Sequence, residues 1–372
     1  MVWNWELPEW PLFKYDESAV DLLEKKLLVS VGSSSAYLKA IDPQERDRFV
    51  VEMLSIEGIE SSRIEGEILN RESLQSSIQK HFGLKTRTRV QKKEERMARL
   101  LCDVYESYDK PLTHEMLWHW HSILFEGETE IKDRGKYRTH AEPMQIVSHR
   151  LDSTKVFFEA PPSIQIFTEM SAFINWFNAT KDVGSILGRA AIAHLYFESI
   201  HPFEDGNGRI GRLLVEKVLS QSIHRPILIA VSKRLEKRKK EYYAELERCN
   251  RTLEVQNWVE FFSSVILQAH EEAMTFLYFL IEKAKMLHRL SNSLNPRQTK
   301  VLLRMFEEGP DGFKGGLSAE NYISITKTTR ATATRDLNDL VEKNALKKTG
   351  KLRHTRYQLN LKSEALPELR QK

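Results

Sequence analysis

The sequence predicts a mainly α-helical protein with one β-hairpin near its middle and a winged helix-turn-helix at its end. Three observations carry that expectation. Apolar residues recur at three- and four-residue spacing over most of the first 290 positions. Only two short β-like runs interrupt them, at 144–147 and 155–158. After Asn295-Pro296, three short helical patterns give way to an extended segment that turns at Gly350.

Taken in order, residues 1–40 open on Trp3, Trp5, Trp10 and Phe13, interleaved with Pro8 and Pro11. Such a composition favours an arm laid across a surface, rings buried, over a helix. Asp42-Pro43 reads as an N-cap followed by proline at the first helical position, and Phe49, Met53, Ile56 and Ile64 carry that helix to Gly66, where a glycine ends it. Helical spacing then holds from Asn70 to about Phe125. Within it the basic stretch 85–99 reads as a solvated face and turn. Met144, Gln145, Ile146 and Val147 pair with Lys155, Val156, Phe157 and Phe158 as a hairpin joined by a polar link. Helices are expected over 163–176, 183–200, 208–222, 236–248 and 255–287. The final module has helices over 296–306 and 318–325, a turn over 327–330, a third helix over 331–342 and a two-stranded wing over 347–359. The chain thus divides into an N-terminal helical region (1–110), a core (111–290) and a winged helix-turn-helix (294–372).

Composition narrows the function classes. Hydrophobic residues at 41% and charged residues at 29% describe a globular chain with ample core material. Cys102 and Cys249 lie far apart and match no zinc or redox spacing, which suits a reducing compartment, so a cytoplasmic location is expected. The opening residues offer no basic or apolar leader pattern, so no secretory signal is expected. The most apolar stretch, 258–280, is broken by Glu260, His270, Glu271 and Glu272, so no membrane span is expected. From 294 onward sixteen Lys/Arg stand against nine Asp/Glu, so the net charge of +4 is concentrated in the final module. Together with Thr328, Thr329, Arg330 and Arg335 at the start of its third helix, that excess suits DNA phosphates; dimerisation or protein binding fits it as well.

The densest chemistry lies in the run His201-Pro-Phe-Glu-Asp-Gly-Asn-Gly-Arg-Ile-Gly-Arg212. It contains G-x-G-x-x-G over 206–211, but the dinucleotide motif needs a preceding strand, and 192–200 has helical spacing. A helix, a tight loop and a second helix remain. Gly206 and Gly208 allow close backbone approach, and the loop amides converge with the start of the new helix on an anion site. Arg209 and Arg212, three apart, point to one side of that helix. Asp205 offers a hard oxygen for Mg²⁺, and His201 can take a proton near neutral pH. His114, His119 and His121 lack a metal-binding pattern and read as packing or surface histidines.

This run resembles the complete signature of the Fic family. The resemblance implies a Fic-type helical core that transfers AMP from ATP to a Tyr, Ser or Thr hydroxyl of a target protein, with Mg²⁺ as cofactor. It implies His201 as general base and Asp205 as metal ligand. It further implies Asn207 and the amides of Gly206, Gly208, Ile210 and Gly211 around the α-phosphate, Arg209 and Arg212 on the outer phosphates, and Phe203 as the loop's apolar anchor. The hairpin is similar to the family's flap, which clamps a target side chain by strand addition through Met144, Gln145, Ile146 and Val147. The segment 241–250 resembles the one whose Tyr and Asn line the adenosine pocket, which points to Tyr242 and Asn250.

Ser61-Ser-Arg-Ile-Glu65-Gly66 resembles the family's inhibitory motif, which implies that Glu65 pairs with Arg212 and withholds that cation from ATP. Two other readings stay open. One is a DNA-binding regulator whose core only senses nucleotide. The other keeps the enzyme but changes the reaction, to removal of AMP, with Glu65 placing a water, or to transfer of another phosphate-linked group. A homodimer is compatible with all three.

Overall fold

The computed structural model describes residues 2–86, 90–147, 155–310 and 312–361. The expected link of the hairpin (148–154), part of the basic stretch (87–89) and the end of the final module (362–372) lie outside them. Two compact units are distinguished: Met1–Ala36 with Val50–Ala273, and Tyr37–Phe49 with Met274–Lys372.

In the first unit, α1 (Asp21–Ala40), α2 (Pro43–Ile64), α3 (Arg71–His81), α4 (Lys92–Glu106) and α5 (His114–Leu124) precede a hairpin of β1 (Gln145–Val147) and β2 (Val156–Glu159). Then come α6 (Ser163–Ala179), α7 (Ile186–Ile200), α8 (Asn207–Ser222), α9 (Val231–Lys237), α10 (Lys239–Cys249) and α11 (Gln256–Leu290). Helices α1, α2 and α11 contribute residues to both units.

Helix α7 explains the unit's layout. Its residues are apolar on every side, and nearly all of them are buried, as expected of a helix wrapped by others rather than one lying on a surface. Its start is held twice: Ser185 caps Gly188 N, and Glu24 of α1 accepts from Ser185 Oγ (2.5 Å) and Leu187 N (3.0 Å). Its flank is pinned by Trp258 of α11, whose indole N–H donates to Ala191 O at 2.9 Å. Helix α8 packs along α7 and is almost as completely buried. The loop between them therefore rests on the most rigid part of the unit.

Two details depart from the expectation. The arm occupies only the first sixteen residues, with a short 3-10 turn at Asn4–Glu6 and another following at Glu17–Val20. Residues 21–40 are helical because Val20, Leu27 and Val31 bury one stripe; the aromatic and proline density before them hides that stripe. The expected helix over 236–248 is two helices, α9 and α10, broken at Arg238 (φ −111°, ψ 26°) without any glycine or proline to announce it.

In the second unit, α12 (Pro296–Glu307), α13 (Ala319–Thr326) and α14 (Arg330–Glu342) precede an antiparallel pair, β3 (Leu346–Thr349) and β4 (Arg356–Leu359), with Leu346 opposite Leu359. Asn295, Ser318 and Thr329 cap the three helices through their side chains. Leu302, Leu317, Tyr322, Leu337 and Leu340 form the interior. Buried Asp336 ties the ends together, accepting from Arg297 Nε (2.8 Å), Tyr322 Oη (2.9 Å) and Asn295 Nδ2 (3.0 Å). Among the described residues, no helix is long and apolar enough to cross a membrane.

Candidate active site

Helix α7 ends at His201, which turns the chain by taking the left-handed conformation (φ 50°). The loop that follows is locked from inside. Phe203 is fully buried and stacks on the His121 ring at 4.2 Å, nearly parallel. Asn207 accepts from Phe203 N and donates to Phe203 O, both at 2.9 Å, so its amide serves the loop's own shape. Gly206 (φ 81°) stands at the start of α8, and a methyl group there would meet the Phe125 ring at 2.7 Å. Buried Arg138 straps the loop from outside: its N–H bonds Pro202 O (2.9 Å), its Nε bonds His201 O (2.9 Å) and its Nη2 bonds Pro161 O (2.5 Å).

The His201 ring is mostly buried. Burial, and then the Arg138 charge, push its pKa down to about 4, while Glu198, Glu65 and Asp205 offset part of the shift. It is therefore neutral, and able to accept a proton, throughout the neutral range. Its Nδ1 makes no hydrogen bond, and the carboxyl of Glu198, one turn back on α7, stands 3.8 Å away. Burial raises the Glu198 pKa to about 8; Arg212 opposes that shift and Glu65 adds to it. A methyl on Gly211 would strike Glu198 Oε1 at 2.7 Å, so this glycine is what lets the carboxyl lie against α8.

Both arginines of the loop turn toward the segment that ends α2. Arg212 is buried and receives three contacts: its Nε donates to Ser61 Oγ (3.0 Å), and its Nη2 donates to Ser61 O (2.9 Å) and Glu65 Oε1 (2.7 Å). Burial works against its charge, but the Glu65 carboxylate prevails and the pKa rises. The Glu65 carboxylate also lies against Gly208, where any Cβ would collide with its Oε1. It thus covers the first turn of α8, whose amides have no acceptor within the helix, which is the place a phosphate would take. Gly66 (φ 83°) gives the turn that aims Glu65, and Lys239 Nζ holds the preceding carbonyl of Ile64 at 2.6 Å. Arg209 has its own acidic cover: Nη1 meets Glu67 Oε2 at 2.9 Å and Nη2 meets Asp205 Oδ2 at 3.3 Å. Glu67, Lys93, Phe125, Glu128, Asp205 and Arg209 border a cavity of about 270 Å³.

The structure thus brings together His201, Asp205–Arg212, Ser61, Glu65 and Gly66. Ile210 lies wholly in the core beneath them. Tyr242 is buried, its hydroxyl bonded to His194 Nε2 at 2.8 Å. Asn250 lies apart from the loop contacts, its Nδ2 donating to Phe157 O of β2 at 3.0 Å. Met144 to Val147 run along the hairpin, with Ile146 opposite Phe158 and Gln145 and Ile146 exposed.

The family model described as "Fic/DOC family" matches residues 111–219, from just before α5 to near the end of α8. Over these residues the chain matches a Fic domain. A second model, described only as a domain of unknown function, matches residues 3–84, the segment that holds the arm and Glu65. The chain is 32% identical over 116 residues to the protein adenylyltransferase fic-1 of Caenorhabditis elegans, covering 30% of this chain and 21% of that protein. To the protein adenylyltransferase Fic of Nematostella vectensis it is 32% identical over 115 residues, covering 30% and 25%. It spans about a fifth to a quarter of the length of these relatives. A Fic family protein from Desulfovibrio desulfuricans has a similar structure, with TM-score 0.56 at 21% identity over 94% of this chain and 98% of that one. A Fic domain containing signaling protein from Bacteroides thetaiotaomicron follows, at 0.53 and 22% over 68% and 96%. These likenesses are ones of fold.

Several residues around the Fic domain's loop escaped the sequence reading. Glu67, immediately after Gly66, carries a local signal, a second acid after the turn. Glu198 has a weaker one, its place one helical turn before His201. Arg138 stands in the run Gly135-Lys-Tyr-Arg138 that resembles the approach to the family's flap, but its hold on His201 O, like the bond of Asn4 to Ser199, has no local signal, because the partners lie 63 and 195 residues away.

Proposed function

We propose that this chain is an autoinhibited protein adenylyltransferase that moves AMP from ATP to a Tyr, Ser or Thr hydroxyl of another protein. The observation that carries this reading is the cover on α8. A carboxylate of the chain's own occupies an anion-binding helix start, on its buried arginine, beside a neutral histidine. That is an arrangement for a triphosphate, closed by a stand-in. The relatives' names point to the same reaction.

With Glu65 withdrawn, the first-turn amides of α8 would receive the α-phosphate, and Arg209 and Arg212 the outer phosphates. His201 would take the proton of the acceptor hydroxyl as its oxygen attacks the α-phosphorus. The bond to pyrophosphate breaks, AMP stays on the acceptor, and the proton passes from His201 to solvent. Asn207 and Arg138 keep the loop's shape so that these groups stay aligned. Asp205, half-exposed at the cavity, is a single carboxylate. Among the described residues no group of three or more His, Cys, Asp or Glu forms a cage. Such a donor fits Mg²⁺ carried in on the phosphates, which would neutralise their charge there. The hairpin would receive the acceptor as an added strand along 144–147. Tyr242 and Asn250, held by His194 Nε2 and by Phe157 O of the hairpin, would line the adenosine pocket that the segment 241–250 implies.

The elements over 294–361 support the winged helix reading, and exposed Lys327, Arg330 and Arg335 around the start of α14 support a duplex as its partner. Binding that weakens steeply with salt would bear this out. Cys102 and Cys249 are buried free thiols, in keeping with a reducing cytoplasm.

The test is incubation of the wild type, Glu65→Gly and His201→Ala with ATP labelled on the α-phosphate and Mg²⁺ in a cell lysate. Transfer is expected to rise in Glu65→Gly and vanish in His201→Ala. No labelled protein from Glu65→Gly would overturn the reading.

A further inference from the structure

A two-stranded hairpin has little stability of its own and needs bracing from elsewhere. Here the brace comes from three consecutive residues of the N-terminal arm. Trp3 packs edge-on against Phe158 of β2 at 5.5 Å and is itself covered by the Arg251 guanidinium at 3.2 Å. Trp5 donates its indole N–H to Glu159 O at 2.7 Å. Between them Asn4, fully buried, uses every polar group it has. Its N–H donates to Asn250 O (2.8 Å), its Nδ2 donates to Ser199 Oγ (2.9 Å) and Cys249 O (3.2 Å), and its Oδ1 accepts from Trp5 N (2.8 Å). Ser199 lies two residues before His201. The arm therefore joins the hairpin, the end of α10 and the end of α7 through one saturated, buried network.

The same contacts decide which edge of the hairpin is open. Ala160 N donates to Met144 O (2.9 Å) and Phe158 stands opposite Ile146, so alternate residues of β2 face β1. Phe157 and Glu159 face the other way, and their carbonyls accept from Asn250 Nδ2 (3.0 Å) and Trp5 Nε1 (2.7 Å). Side-chain donors thus occupy the β2 edge, which an incoming strand would otherwise use. The β1 edge carries exposed Gln145 and Ile146.

We propose that Trp3, Asn4 and Trp5 form a strap of positioning residues. The strap sets the hairpin at a fixed distance from His201 and closes the β2 edge, so that an acceptor segment adds only along β1. This assigns a role to the start of the 3–84 segment and rests on the reading of the hairpin as the acceptor's docking strand. None of the three side chains contacts the residues assigned to ATP, so the strap acts on the acceptor and not on the nucleotide.

The experiment places Trp5→Phe, which keeps a ring but loses the N–H, and Asn4→Ala in the full-length Glu65→Gly chain. Trp10→Phe is the control, because Trp10 lies on the same arm but bonds Glu169 and packs on Tyr196. Hydrogen exchange over 145–147 and 156–159 is expected to quicken about tenfold in the two strap variants and to stay unchanged in the control. Labelling of acceptor proteins is expected to fall about tenfold, while the ATP concentration giving half-maximal labelling stays the same. Unchanged exchange, undiminished labelling or a raised ATP requirement would each overturn the strap. If the Glu65→Gly parent labels nothing, the transfer reading fails, and the exchange rates alone decide the strap.

Discussion

Two pieces of the same N-terminal segment hold the surroundings of the loop from His201 to Arg212, one on the arginines of the loop itself and one on the end of α7 and the hairpin, and the two grips are of different kinds. At 61–67 the grip is ionic: Glu65 holds Arg212 and Glu67 holds Arg209, each with a side chain about 30% exposed. At 3–5 the grip is neutral, made of Asn4, two indoles and main-chain groups, with Asn4 sealed from water. An ionic grip on a phosphate-binding cation can be exchanged, because a phosphate offers the arginine the same charge that the carboxylate did. A buried neutral network has no such competitor, and breaking it strands unsatisfied donors and acceptors. One end of the segment is therefore suited to letting go, and the other to holding on.

The largest effect should come from His201, at the start of the loop. In a Glu65→Gly background, His201→Ala should lower labelled-AMP transfer about a thousandfold, the range of a lost general base, with nucleotide binding retained in a calorimetric titration. Residual transfer within tenfold of the parent would remove His201 from the chemistry. Next comes the releasable grip. Glu65→Gly alone should raise transfer about a hundredfold, as expected when the first turn of α8 is uncovered for the α-phosphate and Arg212 is restored to the outer phosphates that carry the leaving group's charge. A rise of similar size from Asn4→Ala would erase the distinction between the two grips.

How much of this was legible in the sequence follows from how far apart the partners are. The loop was open to reading because its histidine, carboxylate, glycines and arginines stand within twelve consecutive positions, each with local chemical meaning. The Glu65–Arg212 contact spans 147 residues and was reached only through a resembling motif. The strap was not reachable at all, since nothing in Trp-Asn-Trp announces that the asparagine will meet Ser199 and Cys249. Helical spacing outlined most of the first unit, but the stripe of Leu27 and Val31 in α1, continuing from Val20 just before it, was masked by neighbouring aromatics. The break at Arg238 has no local signal. Asn250 is instructive in another way: the segment 241–250 brought it forward only through resemblance, and nothing local announces that its amide also bonds Phe157 O of β2.

Glu198 sharpens the comparison from within, because it lies between the two grips. Its folded pKa of about 8 is above its ordinary 4.5. The proton is therefore held more tightly in the folded chain, the stabilisation is complete below pH 4.5, and it is lost as pH rises toward 8. Glu198→Gln keeps the neutral shape at every pH. Its stability relative to wild type should grow by about 5 kcal/mol between pH 4.5 and 8, read from urea midpoints across that window. Parallel curves for the two proteins would mean the carboxyl is already ionised at neutral pH.

The smallest effect tests whether the ionic grip is one device or two. Glu67 covers Arg209 as Glu65 covers Arg212, but the settings differ. Glu67 also faces Lys93 at 3.1 Å, and Arg209 keeps Asp205 and the Phe125 face as further partners. With Glu67 about 30% exposed and shared with Lys93, and Arg209 held by other partners, the pair is worth about 1 kcal/mol. Glu67→Gln in the Glu65→Gly background should therefore tighten ATP binding only about threefold. In the wild type it should change little, because Glu65 still covers the first turn of α8. A tenfold gain in the wild type would make Glu67 a second brake of equal rank. No gain in either background would leave Arg209 as well held by Asp205 as by Glu67, and the releasable grip would then reduce to Glu65 alone.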